Sequence, residues 1–207
     1  MGFNTKEKQE RALGEKLNLK PIRSFSEKSA STRRPYRPGV HGQARRRLTE
    51  YGKQLAEKQK FRVSYGLRES QMRNYFLKAK NSHEATGQAF MSLLERRLDN
   101  VVYRLGLAGS RSVARQLVGH GHIVVNGRKS ATPSRQVKKG DVIAIREQSQ
   151  NSPMFAELEK TLSQHETPYW LKMDPKKREG IVSSAPKDLD IPFDISLVVD
   201  YYSKTVK

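Results

Sequence analysis

The chain has 207 residues, 40 Lys and Arg against 21 Asp and Glu, and a formal charge of +19. Such an excess implies a polyanionic partner, because each phosphate neutralised by a cation releases condensed counterions. Zero cysteines exclude a disulfide framework and a thiolate metal site, and hydrophobic residues at 35% with a mean hydropathy of −0.78 restrict the core to one or two small domains.

No apolar run approaches the roughly 18 residues that cross a bilayer, and MGFNTKEKQE lacks the apolar stretch of a signal peptide. The expected setting is the cytoplasm or the interior of an organelle, with no membrane partner.

Residues 1–30 carry seven basic and four acidic groups. KEKQERALGEKL predicts a short amphipathic helix that Gly14 interrupts, in a tail that orders against a partner. From Ser31 to Arg62 the balance is ten basic residues to two acids. RRPYRPGVHGQARRR, with two prolines and two glycines, excludes regular helix and interleaves Tyr36 and His41 with arginines. One reading is a disordered basic arm. The other is an extended segment threaded along RNA, with Arg33, Arg34, Arg37, His41, Arg45, Arg46 and Arg47 on phosphates.

Leu48 opens a helical pattern in which Tyr51, Leu55 and Gln59/Val63 recur near four, with Thr49 as N-cap and Gly66 as stop. Its cations Lys53, Lys58, Lys60 and Arg62 are candidate RNA contacts. Glu69 to Lys80 predicts a second helix through Met72, Tyr75, Phe76 and Ala79. Two helices this short need a packing partner.

Met91, Leu94, Leu98, Val101 and Leu105 fall on one stripe of a continuous helix, flanked on one side by Arg97, Asn100 and Arg104. Gly106 and Gly109 break it. Ser110 caps a further helix that buries Val113, Ala114, Leu117 and Val118 and presents Arg111 and Arg115, with Gly119 and Gly121 as its stop. The strand Ile123 to Val125 then meets Asn126-Gly127, a hairpin signal, because both central positions of a type I′ turn take positive φ. Lys139-Gly140-Asp141 turns the chain into the strand Val142 to Ile145.

Between Arg96 and Arg146 there are eleven Lys or Arg and two acids. A solvated basic face would need no more than that. The placement of Arg97, Arg104, Ser110, Arg111 and Arg115 at a helix corner, of Asn126, Arg128 and Lys129 on the hairpin, and of Arg135, Lys138 and Lys139 beyond it fits a shared phosphate surface better.

These residues carry a resemblance. Arg97-Leu98-Asp99, Gly106, Ser110-Arg111, Ala114, Leu117-Val118, Gly121, Val125-Asn126-Gly127, Val137 and Gly140-Asp141 resemble the S-four RNA-binding module. That module also occurs in pseudouridine synthases, tyrosyl-tRNA synthetases and a heat-shock protein of stalled ribosomes, so the flanks decide. Pro38-Gly39, His41-Gly42, Tyr51-Gly52, Gln54-Leu55, Glu57-Lys58-Gln59-Lys60, Arg62, Tyr65-Gly66, Glu69, Gln71 and Tyr75 resemble the central signature of the family of small-subunit ribosomal protein four, and Val198 to Lys204 resembles its ending.

The resemblance implies an α+β fold: a discontinuous helical domain, 48–90 completed by 190–207, with an inserted S-four module over 91–189, two helices on a small mostly antiparallel sheet. An extended basic N-terminal arm, 1–47, precedes them. It implies a structural constituent of the small ribosomal subunit that binds 16S-type rRNA at a multi-helix junction in its 5′ part early in assembly. The implied partners are that rRNA, mRNA at the channel through which it enters, and the neighbouring ribosomal proteins three and five, with a contribution to translational accuracy. Many members hold zinc with four N-terminal cysteines. This chain has none, so no metal and no cofactor are implied.

Ser152-Pro153 predicts a helix with Phe155, Leu158 and Leu162 on one face, closed by Pro168. Tyr169 to Met173 and Gly180 to Ser183 read as a hairpin, with Trp170 in the core rather than stacking on bases. Ile195 to Tyr202 fits helix or strand by periodicity, and the family implies a helix returning to the first domain. Residues 147–207 hold eight basic and ten acidic groups, which suits packing or a protein neighbour better than RNA.

Enzyme signatures are absent. His120 and His122 have no third ligand, no nucleophile elbow or phosphate loop occurs, and Asp99 is better read as a partner of nearby arginines than as a catalytic acid. The rival classes are a transient RNA-modifying or ribosome-rescue factor and a nonspecific DNA-binding protein.

Overall fold

The computed structural model describes residues 6–17, 19, 24, 26–44, 47–156, 158, 161–162, 165–187 and 192–205. The chain divides into two compact units, Met1–Phe90 with Asp190–Lys207, and Met91–Leu189. The described residues among 1–47, read from sequence as an extension, cluster with the first of these.

The first unit is helical: α1 (Lys6–Leu13), α2 (Ala30–Arg33), α3 (Glu50–Ser64), α4 (Glu69–Lys80) and, from the far end of the chain, α9 (Ile195–Thr205). Thr49 caps α3 as its sequence predicts, its Oγ1 accepting from the Gly52 amide at 3.2 Å. The face that α3 buries differs from the expected one. Gln54, Lys58, Phe61 and Ser64 turn inward, while Tyr51 is more than half exposed. The reason is tertiary: Phe61 meets Phe193 edge-on at 5.2 Å, and Lys58 is drawn in by Glu69, so the apolar count alone picked the wrong side. In α4 the predicted Met72, Tyr75, Phe76 and Ala79 are the buried residues. The segment left ambiguous at the C-terminus is helix α9, which packs on α3 and α4 and stacks Tyr202 on Phe76 at 5.1 Å.

Helix α5 (Thr86–Glu95) starts in the first unit and ends in the second, where α6 (Leu98–Arg104) and α7 (Arg111–Gly119) follow. The single helix expected through Met91 and Leu105 is therefore two. The amides of Leu98 and Asp99 donate to the carbonyls of Arg135 and Pro133, the Val137 amide donates to Arg96, and Arg97 is extended and bridges Gln136. A neighbouring segment has taken the hydrogen bonds that a continuous helix would have made internally. Leu94, Leu98, Val101 and Leu105 are all fully buried, the last three in one core.

Ser110 caps α7, its Oγ accepting from the Val113 amide. Ala114, Leu117 and Val118 are buried as expected, but Val113 is 42% exposed, because it lies at the edge of the face they bury, one turn before Leu117, rather than at its centre.

Five antiparallel strands follow, β1 (Ile123–Val125), β2 (Arg128–Lys129), β3 (Val142–Ile145), β4 (Leu171–Asp174) and β5 (Glu179–Val182), in the order β2-β1-β3-β5-β4. Asn126 and Gly127 have φ of 52° and 74°, the two positive values a type I′ turn demands. The inner face of the sheet, with Ile123, Val125, Ile143, Ile145 and Val182, packs on Val101, Leu105, Leu117 and Val118. Trp170 is fully buried in this core rather than a platform for bases.

Between β3 and β4 lie a short helix α8 (Glu147–Gln150), which the sequence did not signal, and a 3-10 turn at Pro153–Phe155. Phe155, Leu158 and Leu162 are buried as their spacing predicts. Positions 157, 159, 160, 163 and 164 of the expected helix lie outside the described residues.

Candidate nucleic-acid interface

Four arginines of the second unit converge on the dipeptide Asp99-Asn100 and on Glu95. Asp99, 2% exposed, accepts from Arg97 through Nε at 3.0 Å and Nη2 at 2.9 Å, and from Arg115 through Nε at 2.8 Å and Nη2 at 2.6 Å. Glu95, fully buried, accepts from Arg104 through Nε at 3.1 Å and Nη2 at 3.0 Å, and from Asn100 Nδ2 at 2.9 Å. Asn100 Oδ1 in turn accepts from Arg111 Nε at 2.8 Å, and the Arg111 guanidinium lies over the Tyr103 ring at 4.7 Å.

The sequence reading placed Arg97 on the same exposed flank as Arg104. It is buried instead, because the break before α6 turns it inward onto Asp99. The side chains of Arg104 and Arg115 remain 30% and 29% exposed, and Arg111 is half-buried. Asp99 holds arginines, as expected of it. Glu95 was missed: it lies just before the basic stretch, and its partner is nine residues ahead, across the corner between α5 and α6.

At the end of the sheet a second constellation forms. Asn126 Nδ2 donates to Asp141 Oδ1 at 2.9 Å, Asn126 Oδ1 accepts from the Val142 amide at 2.8 Å, and Asp141 Oδ2 accepts from the Lys138 amide at 2.8 Å. Asn126, read from sequence as an RNA contact, thus ties two turns together, since both ends of its amide are engaged. The ties set the backbone that carries the exposed cations Arg128, Lys129, Lys138 and Lys139, and Arg135 is also exposed. Ser110 is 9% exposed and serves as the α7 cap, with its Oγ 3.0 Å from that of Ser112.

In the first unit Arg33, Arg34, Arg37, His41 and Arg47 are exposed, whereas Arg45 and Arg46 lie outside the described residues. Their loop is built, not slack. Arg11 Nε donates to the carbonyls of Arg34 at 2.9 Å and Tyr36 at 3.0 Å, and its guanidinium lies 5.2 Å from the centre of the Tyr36 ring. A Cβ at Gly42 would meet the Arg37 carbonyl oxygen at 1.9 Å, so only glycine allows that turn.

Two cations of α3 read as RNA contacts are engaged in ion pairs within the fold. Lys58, 4% exposed, pairs with Glu69 at 3.0 Å and sits 4.6 Å from the Tyr201 ring centre. Lys60 pairs with Glu15 and with Glu57 at 2.5 and 2.6 Å. Lys53 is exposed beside Glu50, and half-buried Arg62 donates to Gln59.

Among the described residues no group of three or more His, Asp or Glu side chains could hold a metal ion, and no helix is long and apolar enough to cross a membrane. Sequence comparison matches residues 4–95 to the Ribosomal protein S4/S9 N-terminal domain and residues 96–143 to the S4 domain. The chain is 50% identical over 196 residues to small ribosomal subunit protein uS4 of Oleidesulfovibrio alaskensis, covering 94% of each chain. It is 48% identical to the protein of the same name in Halothermothrix orenii, again over 94% of each, and 48% identical to that of Nitratidesulfovibrio vulgaris over 95% and 96%.

Proposed function

The chain belongs to the family of small ribosomal subunit protein uS4, and from that membership we propose that it is a constituent of the small subunit that binds small-subunit rRNA directly and helps to nucleate early assembly. Its relatives are ribosomal proteins rather than enzymes. The observation that carries the rRNA reading is the balance of the second unit's basic stretch. Of its eleven cations and two acids between Arg96 and Arg146, both acids are hydrogen-bonded within the fold, so the surface that remains is cationic.

A rigid cationic surface stabilises the RNA conformation that matches it and shifts the RNA toward that conformation. A junction of several RNA helices, where phosphates crowd, gains most from this. The arm with exposed Arg33, Arg34, Arg37, His41 and Arg47 suits single-stranded chain, and with it a place lining the channel through which mRNA enters, where it contributes to accuracy. The near-neutral C-terminal third suits protein neighbours, the ribosomal proteins three and five among them. The cell compartment is then that of the bacterial ribosome, the cytoplasm.

Chemical footprinting of small-subunit rRNA with and without the protein, paired with sedimentation of subunits through high salt, tests this reading. Protection clustered at one junction and retention on washed subunits are the expected results. Diffuse protection together with release into the supernatant would indicate a transient factor instead.

A further inference from the structure

We propose that Glu95 and Asp99, two buried carboxylates, are positioning residues for RNA recognition: they fix the guanidinium planes of Arg104, Arg111 and Arg115 at the spacing of one folded RNA backbone. The inference rests on the rRNA-binding reading above and goes beyond it by assigning the selectivity to groups that touch no RNA.

A carboxylate in a phosphate-binding module works against attraction, and a buried one also carries a desolvation cost. Here each acid takes two adjacent donors of an arginine, Nε and Nη2: Arg104 spans both oxygens of Glu95, a fork that sets the position and plane of its guanidinium, and Arg115 brings both donors onto Asp99 Oδ2. Arg104 and Arg115, gripped in this way, stay about a third exposed. Asn100 extends the same arrangement to Arg111, donating to Glu95 and accepting from Arg111 Nε, while the Tyr103 ring supports that guanidinium from one face.

The three arginines come from two elements, the end of α6 and the first and fifth residues of α7, and the 95–100 segment reaches all three. A long cationic side chain left loose pays rotamer entropy on binding and adapts to any phosphate. Three held planes favour one arrangement of phosphates over others.

The consequence has a sign that net charge alone cannot give. Asp99→Asn and Glu95→Gln each add one positive charge, so a simple electrostatic surface binds every RNA more tightly. Positioning predicts the reverse for the specific RNA only. The full chain and each variant are titrated against the full small-subunit rRNA transcript and against a random-sequence RNA duplex, across a salt series.

The expected result is an affinity for the transcript weaker by about tenfold or more, with duplex affinity unchanged or raised. The slope of log affinity against log salt for the transcript should be shallower by about 0.7–0.9 for each phosphate that the displaced arginines cease to neutralise. Equal gains on both RNAs overturn the proposal and leave the acids as structural counterions. Should either acid variant fail to fold by circular dichroism, Arg104→Lys and Arg115→Lys decide the matter, since they keep both charge and carboxylates but lose the two-donor grip. Transcript affinity reduced with duplex affinity kept supports positioning, and wild-type affinity for both RNAs overturns it. If the wild-type chain itself prefers neither RNA, the functional reading fails first, an outcome distinct from any of these.

Discussion

Asp99 ties three groups of the second unit together, because its two oxygens accept from Arg97, from Arg115 and from the Asn100 amide. Removing a carboxylate that compensates a buried guanidinium leaves that charge stranded, so Asp99→Ala should cost about 3–5 kcal/mol in urea unfolding. Replacing the pair together, Arg97→Met with Asp99→Leu, should recover most of that loss, since the buried pair of charges is gone and Arg115, which also pairs with Asp99, is 29% exposed. An Asp99→Ala variant within about 1 kcal/mol of wild type, a difference well under the cost of a stranded buried charge, would show that Arg97 finds another acceptor. The link between Asp99 and arginine was legible from their neighbourhood in the chain. That Arg97 is the buried partner and Arg115 the half-exposed one was not, because a helical count assumes the helix continues through both.

Helix α9 depends on a polar clamp for its docking. Lys58 of α3 reaches both Glu69 of α4 and the Tyr201 ring, and the Tyr202 hydroxyl donates to Glu69 at 2.9 Å. Burial pushes the Tyr202 phenol far above its ordinary range, with the Glu69 charge and hydrogen bond adding to the shift. Burial alone lowers the Lys60 ammonium, but its hydrogen bonds to Glu15 and Glu57 outweigh that and hold it above its usual value. Both groups favour the protonated form in the folded state. Their contribution is fully present below the unfolded values, about 10 for Tyr and 10.4 for Lys, and is lost as pH rises from there through the folded values.

The thermal midpoint should therefore fall above about pH 10. Tyr202→Phe should start lower at neutral pH, by about 1 kcal/mol for the missing hydrogen bond, and fall less steeply in alkali. A variant curve parallel to wild type would remove the phenol as the trigger. Periodicity could not choose helix or strand for 195–202, since Val198, Val199, Tyr201 and Tyr202 satisfy both templates.

For the molecule as a whole, an excess of +19 guarantees affinity for polyanions but not its location. Arg128, Lys138 and Lys139 are exposed at the locked turns, while Lys172, Lys176 and Lys177 are equally exposed on and beside β4. Changing the first three to Ala should make the slope of log affinity against log salt for small-subunit rRNA shallower by roughly 2–3 units, at about 0.7–0.9 per phosphate neutralised. The second triple, with the same charge change, should leave the slope within experimental scatter. Equal effects in a filter-binding salt series would mean that net charge alone governs binding.

What the sequence determined by itself were the features that short-range chemistry imposes. Thr49 and Ser110 cap helices because a hydroxyl beside free amides accepts from them, Asn126-Gly127 makes the hairpin because its φ values are positive, and the apolar sets of α4 and α7 follow from local spacing, with Val113 the exception. The tertiary structure decided what depends on groups distant in the chain. The 133–137 segment split the helix through Arg97, Glu69 drew Lys58 inward, and Glu95 and Asp99 buried Arg97 and fixed where Arg104 and Arg115 lie. A charge count treats every cation as available to a partner, whereas each buried carboxylate in the fold must first be satisfied by the cations nearest to it.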